Sequence, residues 1–127
     1  MMKKALLISI SFFVIFPLFN MNAIAGPKVA LNNFRVVSFH LQWRDRGIKD
    51  GLYAVGEIQN IGNIAAGFEV EVIIRDKNGT LIASDKFWPN SIRNVAPGSS
   101  CGIDHMITED RRAAKGEVKV INTEIWD

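Results

Sequence analysis

The chain has 127 residues and a formal charge of +2, from fifteen Lys and Arg against thirteen Asp and Glu. Lys3 and Lys4 belong to an amino-terminal segment that is expected to be removed, so the remainder is formally neutral and gives no electrostatic reason for a nucleic-acid or anionic-membrane partner. The single cysteine, Cys101, excludes a disulfide within the monomer, and about a hundred residues suffice for one domain with a modest core but not for two.

Residues 1–25 read as a signal peptide. Lys3 and Lys4 form a positive start, residues 5–16 are almost wholly apolar, Pro17 and Asn20 interrupt the run, and Ala23-Ile24-Ala25 places small residues where a signal peptidase reads. Cleavage is expected between Ala25 and Gly26. An uncleaved anchor would want roughly 20 unbroken apolar residues, and this run is shorter. No Cys stands near the cleavage site to carry a lipid. The expected product is residues 26–127, outside the cytoplasm (periplasmic or secreted) and without a stable membrane anchor.

From there period two dominates. Over residues 34–43, Val37, Phe39, Leu41 and Trp43 fall on one face and Ser38, His40 and Gln42 on the other, which predicts a half-buried strand. A charged loop with two glycines follows, then a strand over residues 52–59, in which Gly56 predicts a bulge or a close backbone approach. Residues 68–74 alternate most cleanly: Phe68, Val70, Val72 and Ile74 on the core face, Glu69 and Glu71 on the wet one. Asp76-Lys77-Asn78-Gly79 is a hairpin turn leading into a strand over residues 81–88. Pro89-Asn90 turns the chain into a short strand over residues 91–95, Pro97-Gly98 turns it again, and residues 101–107 and 117–125 supply the last two strands.

Seven short strands with turns at intervals of roughly ten residues predict an all-β fold, an immunoglobulin-like antiparallel sandwich, with a small barrel as the alternative. Gly56 to Asn63 as a strand ending in an Asn-rich turn, then Val72 to Asp76, Asn78-Gly79 and Val95-Ala96-Pro97-Gly98, together resemble the FxLYD domain family of small immunoglobulin-like modules in exported bacterial proteins. The resemblance covers about fifty residues. Val72, Ile74 and Arg75 stand where the Phe, Leu and Tyr of the family name would, and Asp76 is kept. It implies a fold and an extracytoplasmic setting, with no shared catalytic residues to carry over.

Candidate chemistry is sparse. His40, Cys101 and His105, with Met106 beside them, have the ligand types and chain order of a blue-copper site, so a small copper protein is the competing reading. Against it, adjacent residues on a strand point to opposite faces, which separates His105 from Met106. The plain alternative makes Cys101 an apolar filler, Met106 a core residue and both histidines outward-facing. Asp104 beside His105 and the Glu109-Asp110 pair lack a nucleophile spaced to work with them, so no enzyme and no resident cofactor are expected. Trp43, Trp88 and Trp126 each end a strand; they either cap the core or form an interaction surface. The expected role is a non-catalytic binding or accessory module for a protein or other envelope component.

Overall fold

The computed structural model describes residues 27–45 and 50–127. The signal-peptide reading, with Ala25 and Gly26, lies outside these residues. After a short 3-10 turn at Leu31–Asn33 come six strands: β1 (Phe34–Asp45), β2 (Asp50–Asn60), β3 (Gly67–Arg75), β4 (Leu81–Phe87), β5 (Ser100–Thr108) and β6 (Lys115–Glu124). They form two antiparallel three-stranded sheets in the orders β1-β2-β5 and β4-β3-β6.

The sheets face each other across a shared core. Leu52, Ala54 and Ile58 of β2 and Ile103 of β5 meet Phe68, Val70, Val72 and Ile74 of β3, all 2% exposed or less. The alternation of β3 is the one written in its sequence: Phe68, Val70, Val72 and Ile74 fill the interior, while Glu69 and Glu71 are half-exposed on the outer face. Each such aliphatic side chain taken from water contributes roughly 1.5–3 kcal/mol, before the entropy of ordering the chain is charged against it. Phe34 and Phe68 join the sheets near one end, with ring centroids 4.8 Å apart at 36°.

Gly56 is a close-approach position. A Cβ there would collide with the carbonyl oxygen of Ser38 and lie 3.2 Å from the Cα of Phe39. The bulge it anticipates sits on the facing strand, where the β1–β2 register shifts between Val36 and Ser38. This bulge restores Phe39, Leu41 and Trp43 to the inner face and leaves Val37, expected among them, 48% exposed.

The hairpin between β3 and β4 follows its turn chemistry. Asp76 Oδ1 accepts from the amides of Asn78 (2.8 Å) and Thr80 (2.9 Å), and Gly79 takes φ 88° at no steric cost.

The seventh expected strand, over residues 91–95, does not form among the described residues. Ser91 adopts φ 53°, and Val95 alone makes a bridge, to Ala66. This loop is held by a polar pin. Asn60, fully buried at the end of β2, donates from Nδ2 to Ile64 O (2.9 Å) and Val95 O (2.8 Å) and accepts from Gly62 N (2.9 Å). Its backbone binds Ser99 O and Gly98 N as well. At the same end, Thr123 of β6 accepts from Val29 N at 3.0 Å and donates to Val29 O at 2.6 Å, and Ile125 N donates to Pro27 O at 2.8 Å. Residues 27–29 thus lie antiparallel to the end of β6.

Candidate functional site: the groove between β4 and β5

β4 and β5 are edge strands of opposite sheets. Their register decides what faces the gap between them. In β4, Asp85 and Phe87 pair with the buried Val72 and Val70, and in β5, His105 pairs with the buried Ala54, so all three point inward. There the His105 imidazole Nε2 meets Asp85 Oδ2 at 2.9 Å, and the Phe87 ring stacks on it at 4.0 Å and 15°. The two polar side chains keep 40% and 42% exposure, so screening limits the pair to about 1 kcal/mol or less. Its placement matters more than its strength: one polar clasp ties together the free edges of two sheets.

A groove of about 380 Å³ opens beside the clasp, lined by Phe87, Trp88, Pro89, Gly102, Asp104 and His105. Asp104 points to the outer face, where Arg44 grips it with two bonds, 2.8 and 3.2 Å, while stacking over Tyr53 at 4.4 Å. An aromatic wall, the Asp104 carboxylate and an imidazole can recognise a ligand. The lining holds no Ser, Thr or Cys for the imidazole to activate.

The copper reading drew on residues that the fold separates. His40 is exposed on the outer face of β1, opposite Val55. Cys101 and His105 share the inner face of β5, but four residues of strand set them about 13 Å apart. Among the described residues no three His, Cys, Asp or Glu side chains are grouped to hold a metal ion. Two expectations of the plain alternative also need correction. His105 faces inward, because Asp85 supplies a polar partner on the opposing edge. Met106 is on the outer face of β5, packed over Gly51, because it follows His105 on an alternating strand. Cys101 is 8% exposed and a free thiol, its pKa pushed up by burial.

The tryptophans sit at both ends of the core. Trp43 packs against the core beneath the Arg111 guanidinium, 4.2 Å above the ring, which also reaches Asp50 at 3.1 Å. Trp88 and Trp126 meet edge to face at 5.5 Å, and Asn94 bonds both backbone polar groups of Trp126 at 2.8 Å. The Trp126 indole Nε1 is buried with no hydrogen-bond partner, against the backbone of Gly67. Glu109 is exposed, while Asp110 closes the β5–β6 loop. The Arg112 side chain, bonded to Asp110 at 2.7 Å, holds its carboxyl down at about 2.

Asp85 and Phe87 went unnoticed in the sequence. The available signal was an acid standing in the apolar row Ala83, Asp85, Phe87. No protein-family model matches the chain, and no curated protein or solved structure shows significant similarity to it.

Proposed function

We propose that this protein is an exported, non-catalytic immunoglobulin-like module that binds a protein or another component of the cell envelope, a small relative of the FxLYD domains. The observation that carries the reading is the strand order. β1-β2-β5 and β4-β3-β6 correspond to the A-B-E and C′-C-F orders of an immunoglobulin sandwich, the framework on which many cell-surface domains display binding edges and loops. The groove between β4 and β5 supplies a concave surface on that framework. Export is supported by Ala23-Ile24-Ala25 after a broken apolar run.

Two measurements test the reading. Mass spectrometry of the protein recovered from its host is expected to find Gly26 at the amino terminus, and an intact Met1 or Met2 sinks the export claim. Capture from the envelope fraction on the immobilised protein is expected to enrich a defined component in stoichiometric amount. Failure to enrich any component over a denatured control counts against a binding role.

A further inference from the structure

The two sheets leave four free strand edges, and three of them carry features that discourage a further strand. β1 is interrupted by its bulge and carries Arg35 and Arg44. β4 has only seven residues, Lys86 among them. β6 carries Lys115 and Lys119, slips register at Ile121, and has its end covered by residues 27–29. β5 has none of these defences along residues 100–106. That run keeps straight register with β2, contains no Lys, Arg or Pro, and at Gly102 has no side-chain atom within 4 Å of where a Cβ would stand.

The undefended edge borders the groove of Phe87, Trp88 and His105. Residues 91–95, which the sequence predicts as a strand, leave that edge unpaired and hold Ile92 73% exposed beside the φ 53° residue Ser91. An extended backbone is what bare strand amides and carbonyls recognise. The acid that lines the groove, Asp104, sets the charge of the visitor, since it stays 59% exposed after Arg44 has bound it. A second copy of this chain fits poorly, because antiparallel β5–β5 pairing brings two Asp104 carboxylates close together.

We propose that the free edge of β5 takes up an extended peptide segment of a partner protein, pairing with residues 100–106, with an apolar side chain in the groove against Phe87 and Trp88 and a neighbouring Lys or Arg facing Asp104. This rests on the binding-module reading and gives it a specific surface.

The test is a display library of random nine-residue peptides panned against the purified protein, with the enriched peptide synthesised and titrated by tryptophan fluorescence and by amide hydrogen exchange. Enriched sequences are expected to share an apolar residue beside Lys or Arg and to slow exchange at residues 100–106. N-methylation of alternate peptide amides should weaken binding about tenfold or more, since each blocked amide removes a backbone bond. Trp88→Ala and Asp104→Lys should each weaken it several-fold, with circular dichroism confirming that the variants remain folded. No enrichment, indifference to N-methylation, or self-association in place of peptide uptake overturns the proposal. Peptides that protect another surface overturn the β5 site while leaving the binding-module reading standing, and envelope capture tests that reading separately.

Discussion

Replacing Asn60 by Asp changes almost no volume and reverses the polarity of one buried contact. In the native protein the Nδ2 group gives one hydrogen to Ile64 O and one to Val95 O. An introduced carboxyl can donate one hydrogen when protonated and none when ionised, and Asn60 is 0% exposed, so water cannot replace what is lost. In the protonated state about one bond disappears. Val95 O keeps the amide of Ala66 at 3.3 Å, so the loss is about 1 kcal/mol. At neutral pH the carboxyl must either ionise against two carbonyl oxygens or stay protonated above its ordinary pKa, and each unit of that rise costs about 1.4 kcal/mol.

A rise of about two to three units, less than full burial alone can impose because the Gly62 amide still donates to the carboxyl, brings the total for Asn60→Asp to about 4–5 kcal/mol at pH 7. The sign follows from linkage. The folded pKa lies above the unfolded value near 3.9, so the variant is least penalised below that value and loses stability as pH rises toward the folded pKa. Urea unfolding followed by tryptophan fluorescence, wild type against variant at pH 4 and pH 7, measures the difference. A penalty that is equal at the two pH values, or below about 1 kcal/mol at pH 7, refutes the enclosure of Asn60 and its role in pinning the loops.

Three further outcomes follow from the fold. Val72→Ala should cost about 1–3 kcal/mol in urea unfolding and Glu71→Gln much less, because only the first opens a cavity, whereas Glu71 loses a 3.8 Å surface pair with Lys119; equal effects contradict the register of β3. Gly56→Ala should destabilise by about 1–3 kcal/mol, since the added methyl meets the backbone of Ser38 and Phe39 and not a flexible side chain; a neutral result removes the close approach. Asp110 has a folded pKa lowered to about 2, so its contribution is present above its unfolded pKa and is lost as pH falls from about 4 to about 2; Asp110→Asn should flatten that part of the stability profile, as read by acid titration of fluorescence.

What the sequence made legible was local. The Phe68, Val70, Val72, Ile74 row and the Asp76–Gly79 turn encode their geometry within a few residues, and Gly56 announced a crowded backbone. What escaped was set by partners distant in the chain. Asn60 reads as a turn residue at a strand end, and its burial depends on loops about thirty-five residues away in sequence. Residues 91–95 lie between two turn signals, Pro89-Asn90 and Pro97-Gly98, as a short strand would, but are held at the end of the sandwich by Asn60 and by the Asn94 bonds to Trp126. The clasp of His105 and Asp85 depends on how one sheet is offset over the other, which no single strand records. Period two placed Cys101 and His105 on one face but did not say how far each stood from the opposing sheet.

The bonds joining residues 27–29 to the end of β6 have a mechanical consequence. Pro27 and Ile125 lie at the same end of that short antiparallel pairing, so tension applied at Pro27 and Asp127 opens it as a zipper, one bond at a time. Beyond it, among the described residues, no ladder joins β1 to β6, and the load passes directly onto side-chain packing between the sheets. Held at Pro27 and Asp127, the described domain yields first at the pole of this pairing, while the opposite pole, with its Asp76–Gly79 turn and Arg111 over Trp43, carries no load until the sheets part.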